Sequence, residues 1–228
     1  MKKKLQASVT GKSRRKGPDT RQRLLEAGVE VFARFGPEEV GIRRLAAAAG
    51  ANSAALSYYF GGKEGYYRAV LHHLVQWVNQ SIHDAVTRAK TALGTSPEPE
   101  HARKVLRAFV REVAETVLTK PQAEAVAAIV WRELLRPSSG FDIVYKRMIR
   151  PVHEMLTELV AAGMATKPSD PDAVLLAHTL WGQVAIFRLG FHVLRRRLKL
   201  RGHTLSKRWI VRICATIDAV ATRLLASP

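Results

Sequence analysis

Cysteine is almost missing from this chain: Cys214 is the only one in 228 residues. An intrachain disulfide and a cysteine-rich metal site are excluded, and a reducing compartment, the cytoplasm, is expected. Long apolar runs are lacking too. No stretch approaches the roughly 20 apolar residues of a membrane span. The opening MKKKLQASVTGKSRRKG is basic but has no apolar segment of the kind a secretory signal needs, so no membrane role is expected. GxSxG, a Walker phosphate loop and a strand-following GxGxxG do not occur, so neither catalysis nor a cofactor is expected. Acids are scarce, 19 against 37 Lys and Arg, which leaves a formal net charge of +18.

That charge is unevenly placed. Residues 1–17 hold seven bases and no acid, residues 195–212 hold eight bases and no acid, and everything else carries only +3. The run LRRRLKLRG within the second segment reads as a solvated turn and helix end. Between residues 18 and 66 six bases balance six acids. Attraction to phosphates would therefore come from a basic arm at 1–18 and from the orientation of local charges rather than from domain charge.

Helical periodicity runs through the rest, and no segment shows convincing strand alternation, so the fold class is all-α. A first helix is expected from Thr20 to Phe35, with Leu24, Gly28, Val31 and Phe35 facing a core. Residues 41–67, GIRRLAAAAGANSAALSYYFGGKEGYY, read as a short helix, a glycine turn, a second short helix and a lysine-started third, the layout of a helix-turn-helix. Leu45, Ala46 and Ala49 share one side of the first short helix, Gly50 supplies the turn, and Asn52 or Ser53 caps the next helix. That helix is too short to persist alone, so Leu56 and Phe60 must pack inward and leave Ser53, Ala54, Ser57 and Tyr58 outward, small and hydrogen-bonding residues suited to a major groove. A long helix then runs from Lys63 to about Leu93. Further helices are expected at 101–118, 122–136, 141–164 with a break at Pro151, 171–194 and 205–225.

On these residues the segment Thr20 to Val70 resembles the N-terminal domain of TetR-type bacterial transcription regulators. RQRLLEAGVEVFARFG matches the first helix, IRRLAAAAG the second and YYFGGKEGYY the run after the third. NSAALSYYFGGKEGYYRAVL is most similar to the CecR branch, and RELLRPSSGFDIVYKRMIRPVHEMLTELV with WGQVAIFRLG resembles that branch's C-terminal domain. Gly41, Arg44 and Tyr59 depart from the family's usual Thr, acidic residue and His. The resemblance implies double-stranded operator DNA as partner, with Arg43, Arg44, Asn52, Ser53, Ala54, Ser57, Tyr58, Tyr59 and Lys63 as the DNA-binding set. It also implies a homodimer formed through the last two long helices. The organisation expected is a basic arm (1–18), a helix-turn-helix domain (19–66) and a helical effector-binding and dimerisation domain (67–228).

In the larger domain Trp131, Tyr145, Met148, Met155 and Trp181 supply aromatic and Met walls for an adaptable apolar pocket, with Arg132, Gln183 or His178 as polar fixers, and are the expected effector-binding residues. For the dimer, Leu176, Leu180, Val184, Phe187 and Phe191 make one apolar face, and Ile210, Ile213 or Cys214, Ile217, Val220 and Leu224 another. The spread histidines do not form a spacing that ligates metal, so no metal is expected. The reading is a repressor that leaves a pseudopalindromic operator when a small apolar effector binds. The alternative is a basic nucleoid- or membrane-associated module without sequence specificity.

Overall fold

A computed structural model describes residues 20–95, 98–120, 122–200 and 205–226. The basic arm expected at 1–18 lies outside the described residues, as does Arg201 of the second basic segment. Among the described residues every regular element is a helix: α1 (Thr20–Glu39), α2 (Ile42–Ala48), α3 (Ser53–Phe60), α4 (Lys63–Leu93), α5 (Pro99–Thr119), α6 (Ala123–Leu135), α7 (Phe141–Val144), a π-helical turn (Tyr145–Ile149), α8 (Arg150–Gly163), α9 (Pro171–Leu189), α10 (Phe191–Arg197) and α11 (Lys207–Ala226).

The regular part of α1 stops at Phe35, because Gly36 adopts φ 77°, ψ 167° and Pro37 follows. Its buried stripe is Leu24, Leu25, Gly28, Val29 and Phe32, while Val31 and Phe35 are only half-buried. The contact face is thus turned by about one position from the expected repeat, since 3- and 4-residue steps are compatible with either choice.

Helix α4 is continuous over 31 residues and is shared by two cores. Tyr66 to Val78 pack with α1, α2, α3, α6, α7 and the π-helical turn, whereas Ala85 and Ala89 pack with α5, α8, α9 and α11. Ile82 and Trp181 touch both cores.

Two breaks fall elsewhere than expected. No break occurs at Pro151 itself: Ile149 and Arg150 before it keep helical dihedrals, and the irregularity is the π-helical turn ending two residues upstream, a usual adjustment to a proline inside a continuous helix. The helix expected to run to Leu194 bends by 66° between α9 and α10. Among the described residues no single helix is long and apolar enough to cross a membrane.

Most of the faces expected to form the dimer are occupied within the chain, though Val220 is only half-buried and Leu224 is exposed. Leu180, Val184, Phe191, Ile213, Cys214 and Ile217 are buried, all but Phe191 in the core with α5 and α8, and Leu176, Phe187 and Ile210 lie partly buried against it. A core of this size needs both terminal helices as walls. The outward sides of α9, α10 and α11 instead carry exposed Leu175, Ile186, Val193 and Val211.

Candidate nucleic-acid interface and apolar cavity

Leu45 and Ala46 of α2 and Leu56 of α3 are buried and anchor the two short helices on α1 and α4. Between them Gly50 turns the chain at φ 62°, and Ala51 N–H closes the turn on Ala46 O at 2.9 Å. Asn52 is the N-cap of α3: its Oδ1 accepts from Ala55 N–H at 2.9 Å. That oxygen is taken up by the helix, so Asn52 sets the pose of α3 and has only its amide NH2 left for a partner. Gly41 caps α2 without a side-chain bond.

With Leu56 inward, Ala54, Ser57, Tyr58 and Tyr59 are exposed and Ser53 is half-buried. Tyr58 is 83% exposed and lies edge-on to Tyr59, ring centroids 5.1 Å apart. Arg43 is exposed; Arg44 is exposed too but its guanidinium lies over the Phe35 ring at 4.0 Å, which ties it to the end of α1. Lys63 Nζ donates to Glu38 O at 3.4 Å, a long bond that an anion could replace.

Behind this surface the start of α4 is fixed by buried polar contacts. Tyr66 OH donates to Leu24 O of α1, and burial pushes that phenol up to about 12. Tyr67 OH donates to Glu133 Oε1 at 2.6 Å, and burial together with the carboxyl raises its pKa as well. Glu133, 1% exposed, also accepts from Ser138 N–H at 3.0 Å and Ser138 Oγ at 2.7 Å. Its neighbour Arg132 donates to Phe32 O at 2.6 Å, a carbonyl in the last regular turn of α1, where the helix end attracts a cation. A Cβ on Gly36 would come within 2.8 Å of Arg132 Nε, so the glycine makes room for this contact as well as for the break. Arg132 is therefore a link between α6 and α1 rather than the pocket fixer expected.

Beside that link lies a cavity of about 150 Å³ between α4, α5, α6, the segment around Met148 and α9. Three of the five expected effector residues, Trp131, Met148 and Trp181, line it. The other two do not. Tyr145 is 41% exposed with its ring stacked on Phe141 at 5.8 Å, and Met155 is buried in the other core, its accessible edge facing a separate groove beside Lys90 and Lys146. Residues 148 and 155 are seven positions, about 10 Å, apart along the helix, so Met155 packs two turns beyond Met148 in the other core. Gln183 and His178 are not in the wall either, although His178 stacks on Trp181 at 5.6 Å and lies 3.2 Å from His153 Nε2. Burial lowers the His153 pKa.

Sequence reasoning missed Ile82, Val113, Val117, Val130, Lys120 and Arg188 as wall residues. The aliphatic ones carry no local signal. Arg188 does: it is the only Lys or Arg in α9. Cys214 is buried, which pushes its thiol up, away from the reactive range.

Comparison with known proteins agrees with this geometry. Residues 24–70 match the family model described as bacterial regulatory proteins, tetR family, and residues 102–227 match that of the C-terminal domain of the HTH-type transcriptional dual regulator CecR. The chain is 30% identical to the HTH-type transcriptional dual regulator CecR of Shigella flexneri over 177 residues, 77% of this chain and 78% of that protein. It is 32% identical over 106 residues to the HTH-type transcriptional repressor NicS of Pseudomonas putida, 46% of this chain and 47% of that protein. Among solved structures, AibR in complex with isovaleryl coenzyme A and operator DNA aligns with TM-score 0.62 at 15% identity, covering 89% of this chain and 97% of that one. AmtR of Mycobacterium smegmatis aligns with TM-score 0.57 at 21% identity, covering 94% and 90%. With both of its parts matched, the chain belongs to the TetR family of bacterial transcription regulators and carries the CecR type of C-terminal domain.

Proposed function

We propose that this DNA-binding regulator works as a homodimer on a pseudopalindromic operator and acts as a repressor released by a small effector. Residues 19–66 serve as the reader and 67–228 as the effector-binding and dimerisation part. One observation carries the reading: the outward residues of α3 sit on a scaffold that reaches an apolar cavity through two helices, α4 by Val78 and Ile82 and α6 by Trp131 beside Arg132. An effector that fits one arrangement of these helices better than the other shifts the population away from the DNA-binding one, with a coupling on the order of 1–3 kcal/mol. Lys63, Tyr58 and Tyr59, with Ser57, Ala54, Ser53, Arg43 and Arg44, form the proposed DNA surface, and Asn52 holds α3 in place within it.

Support for the dimer comes from the outer face of α9, where Leu175, Thr179, Gly182 and Ile186 recur at helical spacing and a Cβ on Gly182 would meet nothing. Exposed apolar and small residues of this kind let a second copy approach closely, and a two-fold axis there would set the recognition helices about 34–36 Å apart, one DNA turn. Repression follows NicS, named a repressor, while CecR is named a dual regulator.

Selection of preferred sites from random duplex DNA by the full chain, followed by titration at several salt concentrations, tests the reading. Tyr58→Ala is expected to lose about 1–3 kcal/mol of preference for the selected site over a scrambled one, whereas Lys63→Ala weakens both alike and lowers the salt slope by about 1. Half-sites should bind far more weakly than full sites. A selection that enriches no sequence would favour the non-specific basic module instead.

A further inference from the structure

We infer that the ligand of the cavity between α4, α5, α6 and α9 is a small anionic amphiphile, an apolar body bearing a carboxylate, whose head group is taken by Lys120 and Arg188. The inference rests on the effector role proposed above for this cavity. Among the described residues its wall is aliphatic and aromatic except for the hydroxyls of Ser81 and Thr116 and two charged side chains, Lys120 and Arg188, both cationic, with no acid in it. The two cations come from different elements, Lys120 at the C-terminal end of α5 and Arg188 in the last turn of α9, and both border the cavity. The Arg188 side chain is only 15% exposed, and its one carboxylate contact is a single 3.3 Å approach from Glu124, which is 79% exposed and outside the wall. A guanidinium offers five donors and prefers a two-point carboxylate, so an incoming anion can outbid this loose partner and use the donors that Glu124 leaves.

Lys120 is exposed and stays hydrated at the rim, whereas the Arg188 side chain is largely buried, so a cationic ligand would meet like charge at the mouth of the cavity and a neutral one would forgo a charge-assisted bond to Arg188. The size of the cavity limits the buried body, since an apolar space of about 150 Å³ accommodates benzene. An aryl or short alkyl carboxylate is the class that satisfies both wall and charges.

The test uses the full chain and two probe series with matched bodies: octanoate, octan-1-ol and octylamine, and 3-phenylpropanoate with its alcohol and amine. Binding is read by calorimetry and by the fluorescence of Trp131 and Trp181. In both series or in whichever body fits, the carboxylate is expected to bind about tenfold more tightly than the alcohol, the yield of a charge-assisted hydrogen bond over a neutral one, and the amine least. Lys120→Gln with Arg188→Gln should bring the carboxylate down to the affinity of the alcohol for the same variant, Arg188→Lys should retain part of the advantage, and Glu124→Gln should increase it. Thermal melting of each variant excludes misfolding as the cause. Alcohols that bind as tightly as carboxylates, or an advantage that survives the double substitution, would overturn the head-group inference while the effector cavity stands. Failure of every probe in both series would remove the cavity's effector role along with it.

Discussion

The two cores that share α4 are built differently. Around its first half, aromatic rings interlock: Phe32 meets Tyr66 at 5.6 Å and Tyr67 at 4.9 Å, and Phe60 meets Tyr66 at 4.9 Å. Their hydroxyls reach specific partners, Leu24 O and Glu133. Around its second half the core is mostly aliphatic, with Phe109 its only fully buried ring, and comes from five helices; Thr157 bonds only to its own helix through His153 O at 2.8 Å, and the apolar cavity opens between the two halves. A satisfied polar network specifies one register, because any slip leaves a buried group without its partner. An aliphatic core with a void beside it has room for alternative packings. The stiff half therefore holds the DNA-facing helices in one pose, and the looser half is where a ligand can select among poses.

Substitutions that remove one feature from each half sharpen this contrast. The largest effect is expected from Phe32→Ala, which should cost about 3–5 kcal/mol of unfolding free energy, since every side of the ring is packed. Trp181→Ala should cost about half as much, because one side of the indole already faces the cavity. Denaturant unfolding measures both, and equal losses would mean that the cavity wall is ordinary core. A smaller effect separates the polar groups. Tyr67→Phe deprives buried Glu133 of a donor and should cost about 1–3 kcal/mol, while Thr157→Val should be nearly neutral because the helix keeps its own backbone bond. A Thr157→Val loss as large as that of Tyr67→Phe would erase the distinction.

The smallest effect concerns pH. His73 is buried against Trp77, its Nε2 has no protein hydrogen-bond partner, and burial lowers its pKa; His153, in the other half, is lowered by burial and by His178. Both imidazoles are neutral in the fold, so the stability they permit is present above the ordinary value of about 6.5 and is lost as pH falls through it toward the depressed folded values. His73→Leu should leave stability at pH 7.5 equal or slightly higher and reduce the loss between pH 7.5 and 5.5. If acid destabilises His73→Leu as much as the parent chain, His153 and the other histidines account for the acid response.

Legibility followed range in sequence. The helix-turn-helix could be read because its turn and cap are local: Gly50 turns the chain and Asn52 caps α3 within a few residues of their own positions, whereas Leu56 meets the α1 and α4 core and Lys63 reaches Glu38 O, 25 residues away. The cavity was read only in part. Trp131, Met148 and Trp181 were accessible as large residues at helical spacing, but which core Met155 joins and that Tyr145 stays on the surface depend on how the helices meet, which no periodicity announces. The faces of α9 and α11 were read as apolar, yet their destination, the chain's own core or a second copy, is not encoded in their period.

By itself the sequence determined what is local: helices and their stops, the turn between α2 and α3, the outward residues of α3 and the motifs that mark a TetR-type regulator, because propensity, capping and glycine conformation act within a turn or two of chain. Only the tertiary structure decided what depends on helices meeting: Arg132 on Phe32 O, Glu133 under Tyr67, Lys120 and Arg188 bordering one cavity, and the inward choice of most of the terminal helices' apolar faces. Those are contacts between residues up to 100 positions apart, and they are selected by burial and charge compensation in the assembled bundle rather than by any preference of the segments that make them.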